Sequence, residues 1–162
     1  MAGSTPLWRT HTTVLLVAGF FVVLIALVVS YMITSFRPTI EARAASGMYS
    51  LWLADTEAAR IQGLSGVESL APNGGLLMHF PKDGLHAIWM KDMKIPLDIV
   101  WLDSNKKVIY IVTNAAPELS VSKTFVPTSP ARYVVELPAG GVSNAAIKVG
   151  TEFEFTVKGE AA

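Results

Sequence analysis

Leu97-Asp98-Ile99-Val100-Trp101-Leu102 decides how this chain folds. Drawn as a strand, the stretch is apolar on both faces, and it is too short for a buried helix. Pro96 sets an extended entry just before it. A strand of this kind belongs in the middle of a sheet, with neighbours on both sides and a covering layer on each face. Asp98 alone breaks the pattern.

Short alternating runs surround it. Tyr49, Leu51 and Leu53, then Leu76, Met78 and Phe80, then Val108, Tyr110 and Val112, then Tyr133, Val135 and Leu137 all keep the two-residue period of strands. Phe153, Phe155 and Val157 alternate with Glu152, Glu154 and Thr156, which predicts a half-exposed strand. Leu85 to Lys91 reads as a further strand. Asp55 to Gly63 predicts a helix of about two turns, with an Asp or Thr cap, Glu57 early, Arg60 late and Gly63 at the stop. Residues 140–147 predict another turn or two of helix. The irregular stretch 114–130, with Pro117, Pro127 and Pro130, is long for a loop and reads as a functional lip or a mobile segment. These elements predict a mainly β (α+β) domain: a compact, mostly antiparallel curved sheet or small barrel with one or two short helices.

The 162 residues carry 13 basic and 13 acidic side chains, so no net field draws nucleic acid and no nucleic-acid partner is expected. The absence of cysteine excludes disulfides, a thiol nucleophile and Cys-ligated zinc or iron–sulfur clusters. No formal charge lies between Arg9 and Arg37, and Val14 to Ile33 is apolar except for Gly19 and Ser30. As a helix that run spans roughly 30 Å, the thickness of a bilayer's hydrocarbon core. It predicts a single-pass transmembrane anchor with the lipid bilayer as partner of residues 13–36. A cleavable signal peptide is the rival reading, with Arg9 as its basic region and Ala42-Arg43-Ala44 as a small-x-small site, but the apolar run exceeds the usual length of about 7–15 residues. The basic residues flanking the span do not fix orientation. A short tail before the span and a whole domain after it favour a signal-anchor, which places the protein on the cell membrane with its domain outside the cytoplasm.

The expected division is a tail over 1–12, the anchor over 13–36, a linker over 37–47, the β-rich domain over 48–158 and a C-terminal tail over 159–162. The linker, Arg37-Pro-Thr-Ile-Glu-Ala-Arg-Ala-Ala-Ser-Gly47, shows no evident periodicity.

Four blocks carry a resemblance: Arg60-x-x-Gly63-Leu64; Gly74-Gly75-Leu76-Leu77-x-x-Phe80; Trp89-Met90-Lys91-Asp92-Met93-Lys94-Ile95-Pro96-Leu97-Asp98-Ile99; and Pro130-Ala131-Arg132-Tyr133-Val134-Val135-Glu136-Leu137-Pro138-Ala139-Gly140. In this order they closely resemble the domain of unknown function family 192, over about 48–157. Trp-Met-Lys followed by Ile-Pro-Leu-Asp is the most specific part. The resemblance implies one small β-rich domain, widespread in prokaryotes and often exported or membrane-tethered, with no agreed activity. The chain departs from the family pattern at Asp92-Met93, where Asn-Thr is usual, at Ser65, where Met is common, and at Thr151, where Asp is common.

Chemistry points to two carboxylates. Asp98 opens a strand patterned for full burial, and Glu136 sits near the end of another, so each must be paired or protonated. Arg60, Lys91 and Arg132 are the available cations. The candidate cluster is therefore Arg60, Asp98 and Glu136 with Trp89 and Lys91 beside it, read as a general acid/base pair, a polar ligand pocket or a structural ion-pair network. The network, with Arg60 against Asp98, is the expected arrangement. Trp52, Trp89 and Trp101 could line a sugar or peptide groove, although alternation explains them as core. His79 and His86 are the domain's only histidines and no His-Glu-x-x-His spacing exists, so no metal is expected, and no motif calls for a cofactor. Two functions fit: a membrane-tethered extracytoplasmic binding or interaction module for an envelope polymer or protein partner, or a small envelope hydrolase or lyase using Asp98 and Glu136.

Overall fold

The computed structural model describes residues 7–35, 37–118 and 123–158, with side chains in the first helix described over 14–29. The chain divides into two units, Met1–Phe36 and Arg37–Ala162. In the first, α1 runs Leu7–Ser35, so helix already begins inside the tail expected over 1–12. Its side chains from Val14 to Val29 are exposed. Among the described residues no helix is long and apolar enough to cross a membrane. The segment expected to anchor the protein is thus a helix, and nothing in the fold shows a bilayer around it. The C-terminal tail expected over 159–162 lies outside the described residues.

The second unit is a curled mixed sheet, a half-barrel. Its strands are β1 (Thr39–Ala44), β2 (Gly47–Ala54), β3 (Gly74–Gly84), β5 (Leu97–Leu102), β6 (Val108–Ala115), β8 (Ala131–Pro138) and β9 (Phe153–Glu154), in the order β6-β5-β8-β3-β2-β1-β9. β2 and β3 run parallel and the other neighbours antiparallel. A two-stranded ribbon of β4 (Ile88–Trp89) and β7 (Thr124–Phe125) stands apart. The short helices are α2 (Glu57–Gln62), capped by the Thr56 hydroxyl accepting from the Ala59 N–H at 3.2 Å, and α3 (Gly141–Asn144).

β5 behaves as its sequence requires. All six residues are buried, between β6 and β8. Val100 and Leu102 join Leu77, Val135, Leu137 and Phe153 in a core inside the curl. Leu97, Ile99 and Trp101 join Leu76, Met78, Val134, Ile88 and Phe125 in a second core between the sheet and the ribbon. Each fully buried large aliphatic contributes about 1.5–3 kcal/mol, so this double burial makes β5, β8 and β3 the rigid spine. Gly75 lets β3 and β8 approach, since a Cβ there would lie 2.3 Å from the Glu136 carbonyl oxygen.

Among the described residues the edges of the curl meet at one end. Lys107 bridges Glu152, the Val108 N–H donates to the Thr151 carbonyl at 2.8 Å, and the Phe153 N–H donates to the Lys106 carbonyl at 2.9 Å.

Three expectations need correction. The linker over 37–47 is largely strand β1, paired with β2 from Thr39↔Trp52 to Ala44↔Gly47. Ala42 and Ala44 are buried while Glu41 and Arg43 are exposed, an alternation that small side chains mute in the sequence. The domain therefore starts near residue 37, not 48. The strand expected over Leu85 to Lys91 shrinks to Ile88–Trp89. Phe153, Phe155 and Val157 are buried as the alternation demands, but the run pairs only over 152–154 among the described residues: Glu152 with Lys107, and Phe153 and Glu154 with Ala44 and Arg43. Within the expected lip over 114–130, residues 119–122 lie outside the described residues.

The departures from the family pattern find local work. Asp92 has φ +56°, a left-handed conformation that both Asn and Asp tolerate. The Ser65 hydroxyl donates to the Lys91 carbonyl at 2.9 Å, and the Thr151 hydroxyl accepts from the Lys148 N–H at 3.0 Å.

Candidate functional site

The two buried carboxylates do not meet. Asp98 pairs across the ladder with Leu137, and Ile99 with Glu136, so adjacent positions on β5 and β8 send the two acids to opposite faces of the sheet. Asp98 points into the curl beside Val100 and Leu102. Its Oδ1 accepts from the Asn114 N–H at 2.8 Å, and its Oδ2 accepts from the N–H groups of Gly140 at 3.0 Å and Val142 at 2.9 Å. Gly140, at φ +90°, caps α3 without a side chain of its own, so Asp98 caps that turn from a distant strand. Among the described residues no cation pairs with it, which corrects the expected Arg60–Asp98 pairing: backbone donors meet the charge instead.

Arg60 is occupied elsewhere. At the end of α2 its Nη1 donates to the carbonyls of Asp55 at 2.8 Å and His79 at 2.7 Å, and its guanidinium lies 5.1 Å from the centre of the Phe80 ring. Arg132 pairs with Asp83 at 2.7 Å. Lys91 is exposed and joins the area only through its backbone.

Glu136 lies on the other face, 4% exposed, and its Oε2 has no hydrogen-bond partner. Burial pushes its carboxyl up to about 8, so the group holds its proton at neutral pH. It lines a cavity of about 30 Å³ together with Arg60, Leu64, Met78, Trp89 and Met93. That volume is the size of about one or two waters. Trp89 is 47% exposed on the same wall. Of the five candidates, then, Arg60, Trp89 and Glu136 share one cavity, while Asp98 and the Lys91 side chain stand outside it. Trp101, by contrast, is fully buried and donates from Nε1 to the His86 carbonyl at 2.8 Å. Among the described residues no group of acidic or histidine side chains could hold a metal.

The sequence reading missed a larger feature. A cleft of about 920 Å³ lies between β1 and residues 152–158, with Ile40, Leu53 and Phe155 among its walls and Glu41, Asp55, Glu152 and Glu154 around it. Its β1 wall falls in the stretch taken for a linker, which hid it.

Comparison with known proteins agrees on the domain and is silent on activity. The model of the family described as uncharacterised ACR, DUF192, matches residues 39–155. That match begins after α1 and gives the expected anchor no support. A UPF0127 protein of Pyrococcus furiosus is 30% identical over 71 residues, 44% of this chain and 54% of that one, so the chain matches about half of that relative's length. Two crystal structures share the fold. A Sinorhizobium meliloti protein, provisionally described as a transcription regulator, superposes with a TM-score of 0.70 at 27% identity, over 74% of this chain and 95% of that one. A Novosphingobium aromaticivorans protein of unknown function gives 0.65 at 25% identity, over 73% and 84%.

Proposed function

We propose, for a chain that belongs to the domain of unknown function family 192, a membrane-tethered binding module whose domain lies outside the cytoplasm and whose ligand docks at Trp89 beside the Glu136 cavity. The unpartnered Oε2 of Glu136 carries this reading. An unsatisfied buried polar atom costs about 1–3 kcal/mol, so this one calls for a partner in the cavity. A protonated carboxyl offers a hydrogen-bond donor to a neutral oxygen, and an exposed indole offers a face for a sugar ring or a peptide side chain. The ligand class is therefore a neutral polar segment of an envelope polymer or protein. Blocks far apart in the sequence, those containing Arg60, Trp89 and Glu136, each supply one wall, which supports a common purpose for them. A hydrolase using Asp98 with Glu136 loses its basis, since the two face opposite sides of the sheet.

The tether is supported by α1, a helix of 29 residues with exposed apolar side chains from Val14 to Val29. Release of the full chain from membranes by alkaline carbonate would sink the tether, and a reporter fused after Ala162 that is active only in the cytoplasm would reverse the side. For the ligand, muropeptides titrated into the full chain in detergent should bind at pH 6, weaken above pH 8 as Glu136 ionises, and bind at least tenfold more weakly to Trp89→Ala. Binding indifferent to both changes would remove the cavity from the function.

A further inference from the structure

We propose that the outer edge of β1 docks an extended peptide bearing basic side chains, which pairs with the backbone of Thr39 and Glu41 inside the large cleft. The Leu53 N–H donates to the Pro38 carbonyl at 2.7 Å, so residue 38 and every second residue after it turn their backbone groups toward β2. Thr39, Glu41 and Arg43 must then turn theirs the other way. β9 satisfies that outer side only at its end, through Arg43↔Glu154 and Ala44↔Phe153. Beyond Glu154 the chain no longer pairs with β1, yet residues 155–158 still form the opposite wall of the cleft. The result is a splayed strand pair about 920 Å³ in volume, with the N–H and C=O of Thr39 and Glu41 open among the described residues.

An open edge is a template for a further strand, and proteins ordinarily cover or blunt such edges. The charge around this one selects the occupant. Four acids, Glu41, Asp55, Glu152 and Glu154, line the cleft against two bases, Lys106 and Lys158, and the Lys106 ammonium donates to the Phe155 carbonyl at 3.0 Å and lies 4.9 Å from the Phe155 ring centre. The remaining field is acidic, so a strand with Lys or Arg pointing outward is favoured over an acidic one. Ile40, Leu53 and Phe155 offer apolar contact to the alternate side chains. None of these residues lines the Glu136 cavity, so the two sites stand or fall separately.

The test uses the full chain in detergent and two blocked hexapeptides, one alternating Lys with Val and one alternating Glu with Val. The Lys peptide should bind, at least tenfold more tightly than the Glu peptide, and weaken with salt. Thr39→Pro removes one outward N–H and no bond of the β1–β2 ladder, and Pro is tolerated at such edge positions, so it should fold normally and bind the Lys peptide at least tenfold more weakly. Glu41→Lys with Glu154→Lys should do the same through charge. Equal binding of both peptides, no binding of either, or Thr39→Pro binding like the parent overturns the proposal. Two rival occupants would also overturn it. If residues 159–162 fill the edge, the Thr39 and Glu41 amides exchange slowly in the chain alone and quickly once those residues are deleted. If a second copy fills it, the chain self-associates with concentration and Thr39→Pro abolishes the association.

Discussion

Asp98 and Glu136 sit one register step apart on neighbouring strands, both nearly inaccessible, and their fates are opposite. Asp98 stands at the mouth of β5, where the chain of β6 ends and the α3 turn begins. Backbone N–H groups of a helix's first turn have no partners within the helix, and Asp98 collects two of its three bonds at that turn. Glu136 stands inside β8, between β3 and β5, where the ladders on both sides have already consumed the backbone donors. The difference teaches that burial alone does not tell a structural acid from a functional one. The supply of free donors nearby does.

The sharpest way to break this contrast is Asp98→Ala. It strips one buried and two partly buried N–H groups of a charged acceptor, and water can reach the partly buried two, so a loss of roughly 3–5 kcal/mol is expected. Chemical denaturation of the full chain, followed by tryptophan fluorescence, measures it. A loss below about 1 kcal/mol would mean that the turn does not depend on this carboxylate.

The next effect belongs to Glu136 and runs with pH. A carboxyl whose folded pKa is raised to about 8 favours the folded state while neutral in both states. As pH rises past about 4.5 the unfolded chain ionises first, so stability falls from there until about pH 8, where the folded group ionises too. The full loss is on the order of 5 kcal/mol. Glu136→Gln should flatten that slope and leave the protein more stable than the parent at pH 8, by about 1–3 kcal/mol after the amide's own desolvation. A parent slope that survives in the Gln variant would assign the titration to another group.

Much of this contrast was legible beforehand. The burial of Asp98 and Glu136 follows from strands whose other residues are apolar, and the place of β5 inside the sheet follows from its two apolar faces. The face each acid occupies was not legible, because alternation orders the residues within one strand and only the register between strands says which faces coincide. The supposed Arg60–Asp98 pair failed for that reason: Arg60 reaches the His79 carbonyl of β3 and Asp98 points into the curl. β1 escaped notice because Ala42 and Ala44 give its buried face almost no hydrophobic contrast, and with β1 went the cleft. α2 was readable from its Thr56 cap and Gly63 stop, since capping is a local matter of hydrogen bonds within one turn.

Trp89 gives the smallest effect on stability and the finest discrimination. It shares a wall with Glu136, but 47% of it is exposed, and its strand β4 is two residues long. About half of the side chain is buried, so Trp89→Ala should cost no more than about 2 kcal/mol. If the cavity serves only the fold, Trp89→Ala should alter no binding. If the cavity serves a ligand, the same variant loses no more stability than that and loses muropeptide affinity at least tenfold. A fall in stability of several kcal/mol would instead make Trp89 part of the packing between sheet and ribbon, and would leave Glu136 as a buried acid tolerated by the spine around it rather than kept for a partner.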